Sequence, residues 1–480
     1  MVDTIDYFID GKRVSPNGGT QCDSRNPATG EVIATVALDE ISAANAAIDA
    51  AKKAFPTWSE TPVGERCQVL FRYKELLEQH FEELAALIVT EHGKTIAEAR
   101  GDVRRGIDCV EYACGAPSLM MGRTLPRIAV SSSFSREKDE GIPLDSSLER
   151  VPLGVCVGIT PFNFPIMVPL WMWPMAIACG NTFVLKPSEK VSICALREVE
   201  LAHEAGLPSG VLNVVTGGPD IVNHLITHGE VRAVSFVGST PVAKHIYSTA
   251  SNAGKRVQCM AGAKNTMIIM PDANQDAAID GVIGSSMGNA GQRCLAGSVA
   301  VLVGDAVDWF VPRIVEAAKE IQVAAGETED CSMGPLIDEA SVARVTKAIE
   351  GGVESGAELL LDGRDSELPE GGCFIGPTIF DNVAHDSALA TEEIFGPVLS
   401  ILRVGTLDDA IDVTKRSRFG NMAVMFTSSG FAATRFKDTA GAGMIGINVG
   451  VPAPMAVFPF TGWKESFFGT LHSNGEDSVR

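Results

Sequence analysis

At 480 residues, 45% hydrophobic and 21% charged, the chain has the balance of a folded protein of two or three domains rather than a disordered polypeptide. Its formal net charge of -21 argues against a nucleic-acid partner, because such binders gather lysine and arginine. The 11 cysteines form no CxxC pair and no metal-ligand spacing, so neither a disulfide framework nor a metal site is expected, and a reducing cytoplasm fits best.

In chain order, the start MVDTIDYFIDGKRV carries Asp3 and Asp6 and lacks a basic then apolar leader, so no signal peptide is expected. The polar stretch from Ser131 to Arg150 reads as an exposed loop or edge hairpin between domain segments. From Val151 to Leu185 no residue is charged, a run longer than the roughly 20 residues that span a bilayer. Pro152, Pro161, Pro165, Pro169 and Pro174 interrupt it, which predicts buried strand, loop and helix and no membrane partner. VPLGVCVGIT and NTFVLKP read as strands, and SEKVSICALREVELAHEAG as a helix opened by Ser188 and closed by Gly206. GVLNVVTG, the helical IVNHLITHG, VRAVSFVGS, a helix from Pro241 to Ala250 and RVQCMAG continue the alternation. That pattern predicts an α/β fold with a parallel sheet covered on both faces and ligands bound where its strands end. The GxGxxG at Gly441–Gly446 follows a predicted helix and precedes a strand, the reverse of a phosphate-binding loop.

Cys294, in NAGQRCLAG, is by residue type a buried thiol or a nucleophile. Its surroundings decide which. ITPFNFP at Ile159–Pro165, LKPSE at Leu185–Glu189, GQRC at Gly291–Cys294 and EEIFGPV at Glu392–Val398 stand in the order and spacing of the aldehyde dehydrogenase family, and the likeness covers nearly the whole chain. More narrowly, SLMMGRTLP, GAKN and PAPMAVFPFTGWKESFFG resemble that family's coenzyme-A-acylating, methylmalonate-semialdehyde branch. The resemblance implies an aldehyde dehydrogenase fold: a Rossmann-like NAD-binding domain (1–125 and 151–258), an α/β catalytic domain (259–452) and a small β oligomerisation arm (126–150 and 453–480).

The resemblance also implies roles. Cys294 is the expected nucleophile, since a thiolate turns a flat carbonyl into an adduct that can expel hydride. Asn163 and the Cys294 N–H are the expected oxyanion donors. Thr160 and Phe162 are expected alongside the dinucleotide, Lys186, Glu189 and Lys190 at its adenosine ribose, Ser239 at its pyrophosphate, and Glu393 and Phe395 at its nicotinamide end. Arg105 and Arg293 are expected to bind a substrate carboxylate, for which a guanidinium fork is suited. Met260 stands where hydrolytic members carry the glutamate that activates water, and methionine cannot accept a proton. That fits coenzyme A as the acyl acceptor. Three departures accompany the likeness: a longer segment around Ser131–Arg150, Thr266 in place of a histidine, and no final strand after Arg480. A homo-oligomer, dimer or tetramer, is the default. The resemblance therefore implies an NAD-dependent, coenzyme-A-acylating oxidation of methylmalonate or malonate semialdehyde, with a hydrolytic semialdehyde dehydrogenase and a retired nucleotide-binding or structural protein as the alternatives.

Overall fold

The structure, a computed structural model, describes residues 4–131 and 142–480. The apolar runs form two sheets. In the first, eight strands lie in the order Lys12–Val14, Tyr7–Ile9, Leu212–Val214, Thr182–Lys186, Val155–Ile159, Val231–Val237, Arg256–Met260 and Phe467–Gly469. The five from Leu212–Val214 to Arg256–Met260 are parallel, and the first and last pairings to them are antiparallel. All five residues of Val155–Ile159 and of Thr182–Lys186 are buried, as expected of strands covered on both faces. Taken in chain order, the parallel strands run 3-2-1-4-5 across the sheet. The reversal lies between Val155–Ile159 and Val231–Val237, and such a switch point opens a crevice at the carboxyl ends of those strands.

The second sheet runs Glu358–Leu361, Thr378–Asp381, Val398–Val404, Val299–Val303, Thr266–Ile269, Met422–Phe426 and Met444–Ile447, parallel except for its first strand. Five residues, 261–265, connect the carboxyl end of Arg256–Met260 to the amino end of Thr266–Ile269. The carboxyl edge of one sheet is thereby linked directly to the amino edge of the other. Gly441–Gly446 spans the end of the Gly430–Thr439 helix and the start of Met444–Ile447, the order predicted from sequence.

The Ile96–Cys114 helix crosses the Met167–Ala178 helix closely: a Cβ at Gly106 would come within 2.7 Å of Leu170 Cδ1. The uncharged run from Val151 thus becomes a buried strand and a buried helix, and no helix among the described residues is long and apolar enough to cross a membrane.

Two expectations need correction. The helix expected from Ser188 begins at Ser192, and the carboxylate of Glu91 accepts the N–H groups of Ile193 and Cys194, both at 2.7 Å. A cap supplied from a remote segment replaces the local serine. Among the described residues, no strand pairing joins 453–480 to the expected arm segment 126–150. Phe467–Gly469 instead pairs with Arg256–Met260, satisfying backbone groups at an otherwise open sheet edge. Around the other expected arm segment, 126–150, the structure forms a two-stranded antiparallel ribbon, Arg123–Ser131 with Ile142–Leu148, while residues 132–141 of the predicted loop or hairpin lie outside the described residues.

Candidate active site

Cys294 lies in the connection entering Val299–Val303. Asn265 and Asn421 stand one residue before the two adjoining strands, Thr266–Ile269 and Met422–Phe426, and the Nδ2 of each donates to the Cys294 carbonyl at 2.9 Å. Sheet register therefore sets the position of the cysteine backbone. The preceding turn is strained. Asn289, Ala290 and Gly291 have φ of 55°, 50° and 70°, a left-handed run that non-glycine residues adopt at a cost of about 1–3 kcal/mol each. Gly291 cannot be otherwise: a Cβ there would meet the Gly396 carbonyl oxygen at 2.1 Å. The cysteine loop and the Glu393–Pro397 loop thus touch backbone to backbone.

Cys294 is half-buried. Burial, then the charge of Glu393, push its thiol up to about 12, opposed by the N–H groups of Cys294 and Leu295 and by Arg293. The reactive form is the thiolate, so at neutral pH the free enzyme holds mostly thiol. Iodoacetamide alkylation of Cys294 should therefore climb about tenfold per unit between pH 7 and 9, without levelling off. A plateau reached by pH 8, measured by mass spectrometry of the labelled peptide, would show that the resting thiol is already activated.

A cavity of about 260 Å³ holds Cys294, Arg105 and Arg293 together, with Lys94, Glu98, Gly101, Asp102, Phe164, Trp171 and Phe460 among its walls. A larger one, about 550 Å³, lies by the Phe467–Gly469 edge and contains none of the expected catalytic groups. Lys94 and Asp102 form a buried ion pair at 3.0 Å, and Lys94 Nζ also donates to the Asn163 carbonyl at 2.7 Å. Arg293, expected at a substrate carboxylate, is also engaged within the protein: its Nη2 donates to Glu98 at 2.7 Å and its Nη1 to the Gly284 carbonyl at 3.2 Å. Arg105 Nη2 donates to the Pro454 carbonyl at 2.7 Å, and Arg105 has no carboxylate partner among the described residues. Asn163 is buried, and its Nδ2 donates to the Gln292 carbonyl at 2.9 Å, leaving one amide hydrogen uncommitted.

The switch-point crevice gathers the other expected residues. Thr160 follows Val155–Ile159, and its N–H donates to the Lys186 carbonyl at 3.1 Å. Phe162 meets Phe395 edge-on at 5.9 Å between ring centres. Lys186 is buried and stands 3.6 Å from Glu189, while burial lowers its ammonium. Lys190 is held by Asp338 at 2.5 Å, a partner the sequence did not suggest. Ser239 opens the Thr240–Asn252 helix without a side-chain cap, so free N–H groups remain at a positive helix end, as a pyrophosphate requires. Glu393 accepts the Ala263 N–H at 3.0 Å, and burial pushes its carboxyl up to about 7. A Cβ at Gly262 would press on Glu393 Oε2 at 2.5 Å, so glycine is needed for this approach. Donor N–H groups at an uncapped helix start and two acceptor carboxylates at the crevice fit the phosphates and ribose hydroxyls of a dinucleotide.

Lys94, Glu98 and Asp102 were missed in the sequence, although TIAE carries the spacing of a capping box at Thr95–Glu98 and Glu98, Asp102 and Arg105 share a helical face. The model for the aldehyde dehydrogenase family matches residues 14–480. A malonate-semialdehyde dehydrogenase of Geobacillus thermodenitrificans is 51% identical over 479 residues, which are 100% of this chain and 96% of that one. Among solved structures, a methylmalonate-semialdehyde dehydrogenase from Oceanimonas doudoroffii superposes with a TM-score of 0.95 at 45% identity, covering 100% of this chain and 96% of the other. A Sinorhizobium meliloti protein described as a methylmalonate-semialdehyde dehydrogenase, solved with NAD, gives 0.96 at 42% identity with the same coverage.

Proposed function

The chain belongs to the aldehyde dehydrogenase family, and from that premise we propose that it catalyses the NAD-dependent, coenzyme-A-acylating oxidation of methylmalonate or malonate semialdehyde. The products are propionyl- or acetyl-coenzyme A and carbon dioxide. The observation that carries the substrate class is the charge balance of the Cys294 cavity. Lys94 is paired with Asp102 and Arg293 with Glu98, which leaves Arg105 to face a single carboxylate.

In this reading the Cys294 thiolate adds to the aldehyde carbon, and the new oxyanion takes hydrogen bonds from the free Asn163 Nδ2 hydrogen and the Cys294 N–H. NAD, when bound, supplies the hydride acceptor. Ser239 would hold its pyrophosphate, Lys186 and Glu189 its adenosine ribose, Glu393 its nicotinamide ribose, and Thr160, Phe162, Lys190 and Phe395 would flank it; Glu189 would repel a 2′-phosphate. Loss of hydride leaves a thioester on Cys294. The thioester carries the substrate's carboxylate β to its carbonyl, so it can release carbon dioxide as a thioester enolate, which takes up a proton; the thiolate of coenzyme A then attacks the carbonyl and expels the Cys294 thiolate.

The domain division at 125, 150, 258 and 452 is kept in this proposal, with Phe467–Gly469 assigned to the first sheet. Leu125, Ile128, Val130 and Leu148 are exposed on the ribbon, which suits it to pair with another copy in a homo-oligomer. A cytoplasmic location accords with the free cysteines.

Arg105→Leu tests the substrate class. It should raise the KM for malonate semialdehyde about 10- to 100-fold, the loss of one charge-assisted hydrogen-bonding partner, and leave that for propanal within about twofold. Equal effects on both aldehydes, followed by NADH absorbance, would remove the carboxylate from the argument.

A further inference from the structure

Glu98 touches three things at once, and its two oxygens divide the work. Oε2 faces its own helix start: it accepts the Thr95 N–H at 3.3 Å while Thr95 Oγ1 accepts the Glu98 N–H at 3.2 Å, closing a capping box. Oε1 faces away from that helix. It accepts the Asn289 N–H at 2.5 Å and Arg293 Nη2 at 2.7 Å, both in the cysteine loop some 190 residues further along the chain. Asn289 is the first of the left-handed residues in the strained turn, and Arg293 immediately precedes Cys294. A capping box needs neither contact.

We propose that Glu98 is a positioning residue for the nucleophile: its Oε1 clamps both ends of the Asn289–Arg293 turn and so fixes where Cys294 meets the aldehyde. The inference rests on reading Cys294 as the nucleophile. Three details of the geometry converge on this role. The turn stores backbone strain, which persists only where surrounding contacts over-determine it. Its middle is tied from outside at Gln292, whose carbonyl accepts Asn163 Nδ2 at 2.9 Å and whose Oε1 accepts the Ile337 N–H at 3.0 Å, while Glu98 Oε1 takes a donor from each end, the Asn289 N–H and the Arg293 guanidinium. The Arg293 guanidinium packs on Gly288, where a Cβ would come within 2.7 Å of Nη1, so its place is set by shape as well as charge. Glu98 joins the helix that carries Arg105 to the loop that carries Cys294, the two sides between which the substrate must fit. Misplacement of a reacting group by about 1 Å commonly costs on the order of a hundredfold in rate.

The role differs from substrate recognition in what it predicts. Glu98→Ala should lower kcat about 10- to 100-fold for malonate semialdehyde and for propanal alike, with the KM for propanal little changed, and should alter the rate of Cys294 alkylation by iodoacetamide several-fold. Glu98→Gln keeps an oxygen acceptor and should restore most of both. Glu98→Asp keeps the charge but is one methylene short of the loop, and should resemble Glu98→Ala. Thr95→Ala removes the other half of the capping box without touching Oε1, and should weaken the helix start while leaving alkylation and kcat as they were. The proposal is overturned if Glu98→Ala or Glu98→Asp turns over both aldehydes at the original rate, if only the carboxylated substrate suffers, or if Thr95→Ala reproduces the defect. Should Glu98→Ala fail to fold, the Gln and Asp variants decide. If alkylation of Cys294 leaves the unaltered enzyme active, it is the nucleophile assignment that has failed, not the clamp.

Discussion

Cys294→Ala should abolish aldehyde oxidation, by on the order of a millionfold as when nucleophiles are removed from other covalent enzymes, while the protein folds and binds NAD as before. The expectation follows from how the residue is held. The Cys294 backbone is fixed through its carbonyl by Asn265 and Asn421, which stand at strand starts and do not depend on the thiol. Cys294 as a residue is half-buried at the edge of the core, and truncation to alanine removes one atom, so the cost to stability should be about 1 kcal/mol. The expected dinucleotide residues lie on other segments, at the switch-point crevice. Rapid mixing with NAD and semialdehyde should show no NADH, while thermal unfolding and NAD titration match the unaltered enzyme. A surviving NADH burst would return Cys294 to the core.

Without coenzyme A, NADH should appear as a burst of about one equivalent per active site and then continue at least about a hundredfold more slowly. By the resemblance read from the sequence, Met260 takes the place expected of a hydrolytic base. It is buried at the end of its strand, and its Sδ accepts a hydrogen bond from Ser473 Oγ at 3.5 Å. Water near the acyl group therefore finds no proton acceptor there. A thiol needs less help, because its small thiolate fraction is intrinsically nucleophilic. Adding coenzyme A should restore turnover and yield an acyl-coenzyme A rather than a free acid. Fast steady turnover to free acid without it would overturn the acylating reading. It would also turn attention to Glu393, whose charge reaches Cys294 and whose carboxyl, pushed up to about 7, suits a base.

The alternation from Val151 to Met260 was legible because each buried strand is a short apolar run bounded by glycine or proline, and the reversed order around Gly441–Gly446 was legible for the same reason. What escaped was long-range. The helix at Ser192 starts where Glu91 can reach it, a fact no window around Ser188 contains. The ion pairs of Arg293 and Lys190 were out of reach of any local pattern, because their partners, Glu98 and Asp338, lie 195 and 148 residues away. Glu98 was hidden by its own local explanation, since a capping-box glutamate needs no second purpose. Phe467–Gly469 is too short to announce itself as a strand, and only the open edge beside Arg256–Met260 makes it one.

The contact between Gly291 and Gly396 bears on how this enzyme can diverge. With 2.1 Å between a would-be Cβ and a carbonyl oxygen, the cysteine loop and the Glu393 loop admit no side chain between them, and neither can be remodelled without the other. Gly101, on the opposite wall of the cavity, is different: a Cβ there meets nothing within 4 Å. Heritable change is therefore channelled to one side. Descendants of this sequence can trade one aldehyde for another by substitutions along the helix face at Gly101 and Arg105, while the bond-making apparatus is passed on unaltered.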